Sequence, residues 1–98
     1  DVVEGELPAL IRQVEEARFA EAVALGNRLL GAQHLTSTQA VTIQKELGVA
    51  YVALDRADLA EASFRAALSL QPNLELDTVR TSPRVLEAFS RAKQPAAP

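Results

Sequence analysis

The chain has 98 residues, 48% hydrophobic and 23% charged, which is the balance of one ordinary globular domain. Its net charge of −3 argues against a general nucleic-acid binder, because such proteins present a basic surface. The absence of cysteine excludes a disulfide framework and a thiolate metal site, and it fits the cytosol and the periplasm equally well.

The first part of the chain predicts two helices. Pro8 fits the first turn of the first helix, because backbone N–H groups in that turn have no hydrogen-bond partner within the helix and proline lacks this group. A second helix is predicted to begin near Phe19 and to end at Gly31, with a loop over residues 31–36. The first helix carries apolar residues at the spacing of one helix face, namely Leu7, Leu10, Ile11, Val14 and Ala17.

The middle of the chain predicts a second pair of helices. Thr36 and Gln39 have the spacing of a capping box at the start of a third helix. A tight turn is expected at residues 55–57, and Asp58 is predicted to cap a fourth helix that stops before Pro72. The predicted buried stripe of the third helix consists of Ala40, Val41, Leu47, Ala50, Tyr51 and Leu54.

Residues 73–81 show no helical pattern but include Leu74, Leu76 and Val79, so we expect an ordered strap across the domain. Ser82 and Pro83 predict the cap and first position of a last helix. Its apolar face would be Val85, Leu86 and Phe89, and residues 94–98 are predicted to begin a Pro/Ala linker. Strand signals are absent, which predicts an all-α fold of about five helices.

Seven residues of the second helix pair stand at the spacing L-G-x2-Y, A-x3-F and P, and this stretch resembles a tetratricopeptide repeat. Gly48 and Ala60 have almost no side chain, so two helix backbones can approach closely. A larger residue at either position is expected to overpack the crossing at a cost of about 1–3 kcal/mol. The residues that carry the resemblance are Leu47, Gly48, Tyr51, Ala60, Phe64, Ala67 and Pro72.

Residues 6–31 resemble a divergent repeat, and residues 37–72 a well-matched one. Ala22 and Ala60 are 38 residues apart, whereas the usual period of the family is about 34. Gly26 stands in the place of Phe64, which predicts thinner packing in the first pair. Gln44 stands where the family prefers a large apolar residue, and we expect it to be hydrogen-bonded or to loosen the contact between repeats.

The resemblance implies a right-handed superhelical stack over residues 1–93, in which residues 82–93 form a capping helix over the exposed end. The sequence of this last segment also resembles the tail of bacterial envelope-associated tetratricopeptide proteins, which favours the periplasm or cell envelope over the cytoplasm. The chain begins at Asp1 without a methionine, which we interpret as an excised or processed fragment of a longer protein.

The resemblance also implies a binding site, because arrays of this family hold extended or helical peptides along a concave side lined by the first helix of each repeat. Val49 stands where a clamp for a peptide carboxylate would need asparagine, so an amphipathic helix or apolar segment is the expected ligand. The candidate groove residues are Arg12, Gln13, Thr42, Lys45, Val49 and Val52.

A second hypothesis is self-association, or a spacer role within a larger bacterial envelope protein. Val2, Val3, Leu7 and the last helix would then carry the contact between copies. Residues 1–21 carry a net charge of −4 and residues 80–98 a net charge of +3, so acidic and basic ends could also meet head to tail. A third interpretation is that the chain is one end of a longer array, and the predicted linker after Lys93 argues against a continuation at the C-terminal side.

We expect no enzymatic activity, cofactor or metal. His34 is the only histidine and lies in a predicted loop, and the four glycines are isolated rather than arranged to hold phosphate. The pair Glu15 and Glu16 is interpreted as a solvated helix face, because neighbouring helical residues point about 100° apart. Insertion into a membrane is not expected either, since no apolar run approaches about 18 residues.

Overall fold

The computed structural model describes residues 1–95, and within this range the chain forms five α-helices and no strand. This confirms the all-α prediction. Of the predicted linker, residues 96–98 lie outside the described residues. The helices are α1 (Val2–Glu15), α2 (Phe19–Leu30), α3 (Ser37–Ala53), α4 (Ala57–Leu70) and α5 (Pro83–Lys93).

Helix α1 begins earlier than the sequence pattern predicts. The Asp1 carboxylate accepts a hydrogen bond from the Val3 backbone N–H at 2.9 Å, and this cap starts the helix at Val2. Pro8 therefore lies inside the helix and not in its first turn, so the predicted placement is wrong. At the other end α1 stops at Glu15, and Ala17 lies in the following turn with a φ of 61°.

The turns after α1 and after α3 have the same backbone geometry. In the first, the Arg18 N–H donates to the Gln13 carbonyl at 2.7 Å, and in the second the Arg56 N–H donates to the Tyr51 carbonyl at 2.8 Å. The central residue of the second turn, Asp55, has a φ of 62°, which matches the 61° of Ala17. The two turns are separated by 38 residues, the same offset as the alanines Ala22 and Ala60 of the sequence pattern.

Two expectations for this second turn are wrong. Helix α4 begins at Ala57 with Arg56 at the N-cap, so Asp58 lies in the first helical turn and does not cap the helix. Its charge there still favours the positive end of the helix dipole. Leu54 was expected in the buried stripe of α3, but it follows the end of the helix and is 41% exposed.

The start of α3 confirms the predicted capping box. The Thr36 hydroxyl accepts from the Gln39 N–H at 3.1 Å, and the Gln39 side chain accepts from the Thr36 N–H at 3.0 Å. The Gln39 amide also donates to the carboxylates of Asp1 and Glu4, at 3.0 Å each. One buried side chain therefore caps α3 and ties it to the beginning of α1.

The crossing of α3 and α4 depends on a glycine. A Cβ atom at Gly48 would lie 2.3 Å from a ring atom of Phe64, a distance that no real contact allows. Phe64 and Ala60 are fully buried, and the Phe64 ring meets the Phe89 ring of α5 edge to face at 5.4 Å. The small residues of the pattern thus have the packing role that the sequence predicts.

The other buried glycine, Gly26, does not leave the thin packing that was expected. A Cβ atom at Gly26 would lie 2.7 Å from the Leu47 side chain, so Leu47 from α3 fills the space above α2. Gln44 is half-buried near this contact, beside Asn27 and Tyr51, and the Asn27 amide donates to the Tyr51 hydroxyl at 3.2 Å.

The segment after α4, predicted to be a strap across the domain, packs against the core only in part. Leu74 is 8% exposed and belongs to the core, whereas Val79 is 91% exposed and does not pack down as predicted. Helix α5 then begins at the predicted cap, where the Ser82 hydroxyl accepts from the Val85 N–H at 3.3 Å. Its buried face covers the end of the core and consists of Val85, Ala88, Phe89 and Ala92.

Candidate functional site

A groove runs along α3 on the side that faces α1, and the chain from Glu75 to Val85 forms its opposite wall. It consists of two adjoining pockets that share Val49, Arg80 and Thr81. We call the whole feature the inner groove. Val49 is half-buried and lies at the centre of the floor, where the two pockets meet.

The larger of the two, here called the valine pocket, has a volume of about 490 Å³. It lies over the C-terminal end of α3, and Arg80 and Arg84 reach its rim. Within residues 1–95, no carboxylate lines it. Its apolar lining is formed by Val14, Phe19, Val49, Val52, Ala53 and Val85.

The second, here called the glutamate pocket, has a volume of about 290 Å³ and lies over the middle of α3. Ile11, Val49 and Leu76 supply its apolar surface. Its charged lining contains four carboxylates and two cations, and these are Glu15, Glu46, Glu75, Asp77, Lys45 and Arg80.

Glu46 is the least exposed of these charged groups, with only 12% of its side chain accessible. Burial raises the pKa of its carboxyl, the nearby Lys45 ammonium partly opposes this, and the neighbouring Glu15 raises the pKa further. The Lys45 ammonium lies 3.8 Å from the Glu46 carboxylate. The floor of the glutamate pocket therefore holds a carboxylate in a poorly solvated position.

The structure brings together only part of the predicted groove. Lys45 and Val49 line it as expected. Val52 forms a wall of the valine pocket but is only 7% exposed, so it offers little surface to a ligand. Thr42 lies outside both pockets, and its hydroxyl donates to the Thr38 carbonyl at 3.1 Å.

Of the two candidates from α1, neither Arg12 nor Gln13 lines a pocket of the groove. Gln13 is half-buried, and within residues 1–95 its Oε1 atom is buried with no hydrogen-bond partner. Ile11 and Val14 line the groove in their place. The signal was available in the sequence, since the repeat offset relates Val49 and Val52 to these two positions.

The charged walls were missed for a different reason. Glu15 was interpreted as part of a solvated face, and Arg80 and Arg84 belong to segments whose path over α3 has no periodic pattern to reveal it. Only the fold brings the strap and the start of α5 to the groove formed by α1 and α3.

The surface expected for self-association is less complete than the sequence indicates. Val2 is 77% exposed, but Val3 is 4% exposed and belongs to the core, so it cannot carry a contact between copies. The cations of the basic end also form ion pairs within the chain. Its four cations each have a carboxylate partner, in the pairs Arg80–Asp77, Arg84–Asp55, Arg91–Glu61 and Lys93–Glu75.

Within residues 1–95, the structure shows no site for metal binding and no membrane-spanning helix. No group of three or more histidine, cysteine, aspartate or glutamate side chains is placed to hold a metal ion in this range. His34 is exposed in the loop before α3, with a φ of 62°. In the same range, none of the helices combines the length and the apolar character needed to cross a membrane.

Comparison with known proteins gives no match: no protein-family model, curated protein or solved structure is significantly similar to the chain.

Proposed function

We propose that the chain is a non-catalytic interaction domain that binds a segment of a partner protein in the inner groove. The single observation that carries this proposal is the pair of joined pockets, about 490 and 290 Å³ in volume, above the half-buried Val49. A groove with an apolar floor and charged walls suits an amphipathic helix or an apolar extended segment.

We further propose that the fold is a short tetratricopeptide array of two repeats and a capping helix. The matching turns at Ala17 and Asp55, separated by the repeat offset, support two equivalent helix pairs. The close approach of Gly48 to Phe64 supports the packing pattern typical of that family. In such an array, α1, α3 and α5 are the helices that line the concave side, and all three contribute residues to the inner groove.

The mode of binding is not a clamp on the free carboxylate of a peptide. Lys45 supplies a cation, but one turn further along α3 the family's clamp needs an amide, and this chain has Val49. The valine at the centre of the floor instead favours apolar side chains of the partner.

A selection from a random peptide library tests this function. The probe is a phage-displayed library of peptides of about 16 residues, long enough to cover the groove as a helix. Peptides selected on the wild-type protein are measured again on Val49→Asp and on the control Val2→Asp, which places the same change at an exposed valine outside the groove.

The expected result is a set of peptides that lose about tenfold or more in affinity on Val49→Asp and little on Val2→Asp, because a carboxylate at the floor of the groove opposes apolar contact. Circular dichroism establishes that both variants are folded. If folded Val49→Asp binds every selected peptide as the wild type does, the inner groove is not the binding surface.

A further inference from the structure

The inner groove carries charge of opposite sign at its two ends. This feature deepens the proposed function and rests on it. The glutamate pocket has four carboxylates and two cations, Lys45 and Arg80. The valine pocket shares Arg80, adds Arg84 and, among the described residues, has no carboxylate in its lining. The order follows α3, with the acidic end at Glu46 and the basic end near Ala53.

Ion pairs within the chain do not cancel the acidic end. Lys45 lies 3.8 Å from Glu46 and Arg80 lies 3.9 Å from Asp77, so each cation offsets one carboxylate. Among the described residues, Glu15 is the one of the four carboxylates that has no ion pair within the chain. Glu75 lies 3.4 Å from Lys93 in an exposed pair, whereas Glu15 lines the same pocket as Glu46, and repulsion between these two carboxylates raises the pKa of Glu46. A cation placed between Glu15 and Glu46 would relieve that repulsion.

The arginines of the basic end remain available to a partner. Arg84 donates to the Asp55 carboxylate at 3.0 Å, but both side chains are well exposed, at 67% and 91%. Arg80 is 88% exposed in its pair with Asp77. Exposed ion pairs of this kind contribute little to stability, so a carboxylate of the partner can share or replace Asp55 and Asp77.

The distance between the two ends sets the spacing of charges in the ligand. Glu46 and Ala53 are seven residues apart on α3, which corresponds to about 10 Å at 1.5 Å per residue. A helical ligand would cover this distance with about seven residues, and an extended ligand with about three.

We propose that the inner groove selects a partner segment that carries a lysine or arginine at one end and an aspartate or glutamate at the other, with apolar side chains between them. The basic residue lies between Glu15 and Glu46, and the acidic residue meets Arg84 and Arg80. The apolar side chains rest on Val14, Phe19 and Val49, which are half-buried and line the groove. Complementary charges at both ends fix the direction in which the segment lies, while the apolar contacts hold it in place.

The peptides that depend on Val49 in the library selection provide the test. The expected sequences contain a basic and an acidic residue separated by about seven positions if helical, or about three if extended. Each selected peptide is then synthesised in its original form and with the two charges exchanged, and affinities are measured by fluorescence anisotropy at low salt.

Charge-reversal variants with matched controls show whether the acidic end, the basic end or both contribute to peptide affinity. Glu15→Lys is compared with Glu16→Lys, which makes the same change at the next residue, outside both pockets. Arg84→Glu is compared with Arg65→Glu, which lies on α4 and away from the groove. The groove variants are expected to weaken the original peptides by about fivefold or more, and the controls by less than about twofold.

Restoring binding by a compensating charge change in the peptide is the most decisive test. A peptide whose acidic residue is replaced by lysine should bind Arg84→Glu more tightly than the original peptide does. Peptides that depend on Val49 but show no charge pattern, or groove variants that behave as their controls do, would overturn this inference and leave the groove as a binding site. An absence of any peptide that depends on Val49 would remove the proposed function itself.

Discussion

Gly48 and Gly5 show how one residue type has opposite roles at two positions of the same fold. Both lie inside helices, where glycine is less favourable than alanine by about 0.5–1 kcal/mol. A Cβ atom at Gly5 would have nothing within 4 Å, whereas at Gly48 it would lie 2.3 Å from the buried Phe64 ring. The repeat pattern predicted the close contact at Gly48. No sequence pattern indicates that the space beside Gly5 is open.

The paired substitutions Gly48→Ala and Gly5→Ala are therefore expected to change stability in opposite directions. Gly48→Ala should lower the free energy of unfolding by about 1–3 kcal/mol, because the Phe64 ring cannot move out of the core. Gly5→Ala should raise it by about 0.5–1 kcal/mol. Urea denaturation followed by circular dichroism measures both. Equal effects of the two substitutions would contradict the close crossing of α3 and α4.

Glu46 predicts an unusual dependence of stability on pH. Because burial raises the pKa of this carboxyl in the folded state, the folded protein holds the proton more tightly than the unfolded chain does. Its contribution to stability therefore decreases as the pH rises from the unfolded-state pKa through the folded-state pKa, and the charge present at neutral pH is unfavourable.

Glu46→Gln should accordingly raise the urea midpoint at neutral pH, and the difference from wild type should disappear at a pH of about 3, where the carboxyl is protonated in both states. Glu21→Gln is the control, since Glu21 is exposed on α2. A lower midpoint for Glu46→Gln at neutral pH would mean that the pair with Lys45 outweighs burial.

At the level of helices and turns, local signals in the sequence predict most boundaries and fail where tertiary contacts decide. The capping box at Thr36 and the cap at Ser82 are confirmed because each depends on side chains within three residues. The start of α1 was missed because Asp1 owes its position partly to the Gln39 amide, which comes from a distant part of the chain. The placement of Pro8 was wrong for the same reason.

At the level of helices, the repeat period is the sequence signal that predicts the largest number of structural features. Applying the offset between Ala22 and Ala60 to the whole helix pair gives the correct turn geometry and would have placed Ile11 and Val14 in the groove. Arg12 is exposed, whereas the residue related to it by the same offset is a fully buried alanine of α3, so the two helices are not equivalent at this position. The strap carries no such period, so its arginines could not be placed from the sequence.

For the molecule as a whole, we predict a monomer. The exposed large apolar side chains lie on different segments, at Val2 on α1, Leu54 in a turn, Leu70 on α4 and Val79 in the strap. Single exposed apolar residues are common on monomeric surfaces and do not define an interface.

Light scattering across a roughly hundredfold range of protein concentration tests this prediction, because self-association depends on concentration. A constant mass near 10.5 kDa is expected at low and at high salt. A larger mass that falls as salt is added would instead favour contact between the acidic and basic ends, and it would make self-association the leading function.

The contact between Gly26 and Leu47 has a consequence for the order in which the chain folds. The space beside Gly26 on α2 is filled by Leu47 of α3. The first helix pair, α1 and α2, therefore depends on α3 for part of its packing. The second hairpin, in contrast, holds both members of its closest contact, Gly48 and Phe64. We therefore expect folding to nucleate within residues 37–93, and α1 and α2 to gain their native packing by propagation onto that surface.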